Sequence, residues 1–255
     1  MPHDESIPRG ASVLHAVELD RPKRSIDGER LIAIFSQIIE PLGRALPASS
    51  EIVLHDLSLL PNSIVALHGD VTGRRVGDPA TNILLRKLIN GSIQGEEAYE
   101  TVLPDGRRIR STTVVIHDVA GSPVAALCIN TDLSTWVSLQ HITNIMVGGL
   151  SAAARTPPAP APSQPPGMQE TFVRNVEDLS KHLIQEAISS AGIPVELMKK
   201  RHKLGVVKDL KAQGMFLLRD GIDIVATTLQ VSRFTIYNYL NEIEEAEAVA
   251  TSAGS

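Results

Sequence analysis

The 255-residue chain carries 24 Lys and Arg against 29 Asp and Glu, a net charge of −5. That balance excludes an unfocused polyanion binder, so any nucleic-acid contact has to come from a local patch. The length allows one or two domains with cores of their own, the single cysteine, Cys128, excludes an internal disulfide, and the absence of about 18 consecutive apolar residues or a signal-like start leads us to expect a soluble, cytoplasmic protein.

Residues 1–26 read as a disordered arm. From Glu29 to Leu46, Leu31, Ile34, Phe35, Ile38 and Ile39 recur at helical spacing, and Pro41 marks a kink or an end. Glu51–Leu57 (EIVLHDL) and Ser63–His68 (SIVALH) are short β-rich runs joined as in a hairpin. Asp78–Asn90 opens with Asp-Pro and continues with a helical apolar pattern, the signature of an N-capped helix. Three further strands are expected at Ala98–Leu103, Arg107–His117 and Pro123–Thr131, with turns at Pro104-Asp105-Gly106 and Ala120-Gly121-Ser122. Five strands with a helix inserted after the second make an α+β domain over 27–150, an arrangement that can enclose a small-molecule pocket.

Several polar groupings in this domain invite a chemical reading. His55-Asp56, His68 with Asp70, and His117-Asp118 supply imidazole and carboxylate groups, yet their spacing matches no closed metal motif. Turn caps are the simpler role. Gly69, Gly73 and Gly77 flank Arg74-Arg75 without forming a dinucleotide or P-loop pattern, so they are expected to permit tight turns. No catalytic residue, metal site or cofactor is assigned.

Residues 151–167, SAAARTPPAPAPSQPPG, hold six prolines and five alanines and nothing larger that is apolar. Such a segment cannot build a core and is expected to act as a semi-rigid spacer before a second, all-α domain over 168–247 and a disordered tail over 248–255. In that domain Phe172, Val173, Val176, Leu179, Leu183, Ile184, Ala187 and Ile188 form an apolar stripe that packs internally or joins two subunits. A helix from about Pro194 to Gln213 carries six basic residues against Asp209 between 199 and 211, a local balance of +5. It is either a solvated face or a phosphate-contacting patch.

Ile222–Asn241, IDIVATTLQVSRFTIYNYLN, fits the helix-turn-helix template. Val225, Leu229, Val231, Ile236 and Tyr239 are the five apolar positions that let two short helices cross, and Ala226 sits at their closest approach. Ser232 is placed to cap the second helix. Ser232, Arg233, Phe234, Tyr237 and Asn238 then form the expected DNA-contacting set.

The runs EIVLHDL, SIVALHGDVTGRRVGDPATN and YETVLPDGRRIRSTTVVIHDVAGSPVAALCINTDLS, followed by VEDLSKHLIQEAISSAGIPVELMKKRHKLGVVKDLKAQGMFLLRDGIDIVATTLQVSRFTIYNYLNE, resemble the YheO-like PAS sensor domain of bacterial transcriptional regulators and its companion helix-turn-helix domain. The resemblance covers most of residues 29–245. It implies a one-component regulator in a family that includes D-arginine utilisation repressors: a PAS-like antiparallel sheet with helices senses a metabolite, and an all-α domain binds an operator. An amino-acid-like effector follows from that family. Its pocket is expected among Thr72, Arg74, Asp78, Thr81 and Asn82 on one wall and Ser111, Thr113, Cys128 and Asn130 on the other. Asp78 and Arg74 would supply the opposite charges that a buried amino acid needs. The partners expected are therefore double-stranded operator DNA, an amino-acid-like effector and a second copy of the chain, with no membrane. The competing classes are a PAS-like protein-interaction module without DNA binding and an enzyme on the first domain.

Overall fold

A computed structural model describes residues 24–90, 98–148 and 170–253. The first domain runs α1 (Ile26–Ala45), β1 (Ser50–Asp56), β2 (Ile64–His68), α2 (Asn82–Asn90), β3 (Tyr99–Val102), β4 (Arg108–His117), β5 (Pro123–Asp132) and α3 (Ser134–Gly148). The five strands form one antiparallel sheet in the order β2-β1-β5-β4-β3. The fold is α+β, and each expected strand is present within a residue or two of its reading.

Alternation along the central strands divides the sheet into two faces. Ile52 and Leu54 of β1, with Ala125, Leu127 and Ile129 of β5, lie under Phe35 and Ile39 of α1. That helix begins at Ser25, whose hydroxyl accepts the Gly28 N–H at 3.0 Å, and Pro41 lies inside it without ending it. The helix read from Asp78 starts only at Asn82. Thr81 Oγ1 accepts the Leu84 N–H at 3.2 Å and caps it, while Asp78 is spent on a preceding turn, accepting the Arg75 N–H at 2.8 Å.

The second domain comprises α4 (Val176–Ala191), α5 (Lys200–Ala212), α6 (Gly221–Thr228) and α7 (Arg233–Ala253). The apolar stripe of α4 is spent inside the chain, with Leu179, Leu183 and Ala187 fully buried. α7 continues to Ala253, beyond residue 247, where the reading from sequence ended the domain. The run EEAEAVA is built from good helix formers and simply prolongs the last turn. The expected spacer, 151–167, and residues 1–23 of the expected arm lie outside the described residues.

The two domains share one core. Leu57, Ala80, Leu84, Leu85 and Ala126 of the sheet domain pack in the same buried cluster as Leu210, Met215, Phe216 and Leu218 of the helical domain. Closest approach falls at Gly214, with φ of +80°, where an added Cβ would stand 2.9 Å from Leu85 Cβ. Gly214→Ala therefore meets both a left-handed backbone and a neighbouring helix. It is expected to lower stability by about 1–3 kcal/mol in urea titrations, whereas alanine at Gly205, which faces open space, is expected to be tolerated.

Candidate ligand pocket and DNA-binding face

The sheet face opposite α1 carries a row of polar side chains. The register pairs Glu51 with Asn130, Asn130 with Ser111, and Ser111 with Tyr99, so one residue from each of β1, β5, β4 and β3 lines up across the sheet. Ser111 Oγ donates to Asn130 Oδ1 at 2.9 Å, and Asn130 Nδ2 donates to Glu51 Oε1 at 3.1 Å. Cys128 and Thr113 form the next row, in contact at 3.4 Å. Burial pushes the Cys128 thiol up to about 11, so it remains a neutral wall.

Glu51 is wholly buried. Besides Asn130 it accepts the Val71 and Thr72 N–H groups, each at 3.0 Å, and the Thr72 hydroxyl at 2.7 Å. Those bonds fasten the loop that presents Arg74. The guanidinium is 2% exposed, lies 3.7 Å from Glu51 Oε1 and donates through Nε to Thr72 Oγ1 at 3.1 Å. Its Nη1 has no hydrogen-bond partner. Nearby, His55 shares a 2.8 Å hydrogen bond with Ser63, and burial, assisted by Arg74, holds its imidazole down at about 3.

Glu170, just after the proline-rich stretch, enters this chamber. Its N–H donates to Thr101 Oγ1 at 3.2 Å, and the next N–H, of Thr171, donates to Asn82 Oδ1 at 2.9 Å. Phe172 then stacks under Arg74, 5.0 Å from guanidinium to ring centre. Burial raises the Glu170 carboxyl above its usual range against the opposing pull of Thr81, Arg74, Tyr99 and Ser111. Its Oε2 has no hydrogen-bond partner.

In the helical domain, α6 and α7 cross with Val225, Ala226, Leu229, Ile236 and Tyr239 buried between them. Gln230 takes a φ of +52° in the turn, and Ser232 Oγ accepts the Thr235 N–H at 3.1 Å, capping α7. Ser232, Arg233, Phe234 and Asn238 are exposed. Tyr237 is instead half-buried against the helical core. Arg233 Nε lies 2.9 Å from Asp223.

Residues 27–148 match the YheO-like PAS domain, and residues 179–241 match an HTH domain. The chain thus carries a YheO-like PAS domain followed by an HTH domain. An uncharacterized protein of Haemophilus influenzae is 25% identical over 87% of this chain and 95% of its own. Uncharacterized protein YheO of Escherichia coli K12 is 25% identical over 85% and 86%, and transcriptional regulator DauR of Pseudomonas aeruginosa is 27% identical over 77% and 86%.

Within this PAS domain Arg74, Thr81, Ser111 and Asn130 of the expected pocket surround the Glu170 carboxylate or the polar row beneath it. Asn82 is tied to the Thr171 backbone, and Asp78 stays with its turn. The acid beside Arg74 is Glu51, not Asp78. Neither Glu51 nor Glu170 was anticipated, although the alternation of EIVLHDL sets Glu51 on the same face as Val53 and His55. The His-Asp groupings serve local structure: Asp56 accepts from Ser58 at 2.9 Å, Asp118 from Ala120 and Ser122, and His68 bonds Glu40 at 2.9 Å. The glycines at 69, 73 and 77 all take positive φ.

The raised Glu170 carboxyl has a consequence for stability. Arg74 on the loop, Tyr99 on β3 and Cys128 on β5 are the titratable groups around it. Because the folded state holds this proton more tightly than the unfolded chain, wild-type stability falls as pH rises above the usual carboxylate range. Glu170→Gln removes that loss. The variant is expected to melt higher than wild type at about pH 8 and to converge on it near about pH 5, measured by thermal scans across that interval.

Proposed function

We propose that the protein is a ligand-responsive transcriptional repressor of the cytoplasm that binds operator DNA through α7 and senses a small, amino-acid-like metabolite through its PAS domain. The observation that carries the DNA-binding half is the capped, exposed first turn of α7 on a buried helix crossing, which leaves Ser232, Arg233, Phe234 and Asn238 free to enter a major groove. The name of the Pseudomonas relative, a transcriptional regulator, supports the same reading.

The effector half rests on the polar chamber over the sheet. Arg74 is the buried cation, and Thr81, Ser111 and Asn130 supply neutral hydrogen-bonding groups around it. An amino-acid-like molecule finds there, in Arg74, a partner for its carboxylate.

A homodimer fits an operator with two half-sites. α3 supports that assembly: STWVSLQHITNIMVG has no Lys, Arg, Asp or Glu, and Trp136, Leu139, Ile142, Ile145 and Met146 are all exposed on a single chain. A second copy of the same helix would cover them. Ile142→Glu is expected to shift the protein toward a monomer in sedimentation velocity, while an unchanged sedimentation coefficient would remove α3 from the interface.

DNA recognition is tested by selecting a binding sequence from a random duplex pool and titrating it by fluorescence anisotropy. Arg233→Ala is expected to weaken binding by about 1–3 kcal/mol without changing the fold. Affinity that stays at the wild-type level would take Arg233 out of the interface, and a pool that yields no preferred sequence would reject the reading as a sequence-specific regulator.

A further inference from the structure

Four observations converge on the chamber that Glu170 enters. Its donors, the Arg74 guanidinium with the hydroxyls of Thr81 and Tyr99, are those that recognise a carboxylate. Two buried polar atoms in it, Arg74 Nη1 and Glu170 Oε2, lack partners, so the guanidinium fork is not filled by the acid beside it. Glu51 lies 3.7 Å from the Arg74 guanidinium, beyond hydrogen-bond distance, so it sits beside the fork without filling it. Finally, the backbone holds Glu170 in place through the bonds to Thr101 and Asn82, and that tether limits how far its carboxylate can turn toward Nη1.

Resting on the sensor reading above, we propose that this chamber is a carboxylate-binding site, that Glu170 occupies it as a tethered internal ligand, and that a small carboxylic acid enters by displacing the segment Glu170–Phe172. An untethered carboxylate can meet the guanidinium fork with both oxygens, a geometry Glu170 does not reach. The segment it displaces reaches the other domain, because the Thr171 hydroxyl meets His182 of α4 at 2.8 Å. Occupancy of the chamber is thereby felt at the helical domain. Competition from a tethered group acts at an effective concentration on the order of millimolar, so free carboxylates bind the wild type more weakly than a chain with the chamber vacated.

The full-length protein serves as the test object, with sodium acetate as the carboxylate, acetamide as its uncharged isostere and sodium chloride holding ionic strength constant. In Glu170→Ala, acetate at several times its dissociation constant is expected to raise the melting temperature by roughly 2–4 °C. Acetamide should not. Glu170→Gln, which refills the chamber, is expected to show no acetate response, and adding Arg74→Gln to Glu170→Ala should abolish it. In the wild type, concentrated acetate is expected to quicken amide hydrogen exchange in the peptide containing Glu170–Phe172, a measurement that decides the matter even where Glu170→Ala does not fold. Equal responses to acetate and acetamide, a response that survives loss of Arg74, or unchanged wild-type exchange would each overturn the proposal. None of these measurements involves DNA, so a protein without an operator can still pass them, and a protein that binds DNA can still fail.

Discussion

Glu51 sits within the sheet, fully buried, and the structure around it is arranged to satisfy its carboxyl oxygens. A buried carboxyl group needs several hydrogen-bond partners, and here the loop after β2 supplies three donors while Asn130 supplies a fourth. The loop is consequently folded back onto the sheet edge instead of projecting into solvent. Gly69 makes the return possible: its φ is +98°, and a Cβ there would stand 2.5 Å from the Ser50 carbonyl oxygen. With the loop fastened, Arg74 has nowhere to go but over the polar row, and Phe172 closes on it from the other side.

The same loop and the helix after it form the seam between the domains. Asn82 at the start of α2 holds the Thr171 backbone, Thr171 holds His182, and Glu186 one turn further on lies 3.5 Å from Arg86, back on α2. Around this polar circuit the apolar core runs unbroken from Leu84 and Leu85 to Met215 and Phe216. A proline-rich connection in sequence therefore does not mean loose domains in space. A ligand alters the DNA-binding end only if it binds two arrangements unequally, and a seam that includes a removable segment provides two such arrangements.

How much of this is legible in the sequence depends on whether a signal is local. Strand alternation and turn residues placed all five strands, and the spacing of Val225, Ala226, Leu229, Ile236 and Tyr239 located the helix crossing, because each is set by neighbours a few residues away. The buried pair of Ser111 and Asn130 was also within reach, since polar residues in strands that otherwise read as apolar stand out. The acid facing Arg74 was not. Asp78 is close by in sequence, but a turn consumes it, and the pairing with Glu51 spans 23 residues through the sheet register. Glu170 was hidden by its position at the end of a stretch that reads as linker. α3 was missed for a different reason: its apolar side chains are spread around the helix among uncharged polar ones, so it shows little helical periodicity to detect.

Charge on the helical domain follows a related logic. The basic run on α5 looks in sequence like a phosphate-binding strip, yet Lys200 lies 2.7 Å from Glu242, and Lys211 lies 3.0 Å from Glu247, both acids of α7. Lys203 is drawn into capping α6, donating to the Leu229 carbonyl at 2.6 Å. Exposed pairs of this kind are weak because water screens them, too weak to withhold a lysine from a phosphate that offers more. They do lower the net positive field that would hold the protein on arbitrary DNA, in keeping with an overall charge of −5. Arg233 is under the same restraint through Asp223: leaving that pair costs little where a guanine edge replaces the carboxylate, and gains nothing where no partner does. A domain whose cations Lys200, Lys211 and Arg233 are lightly held by neighbouring acids gives up nonspecific affinity first, because that affinity rests on charge, while discrimination rests on shape and base edges.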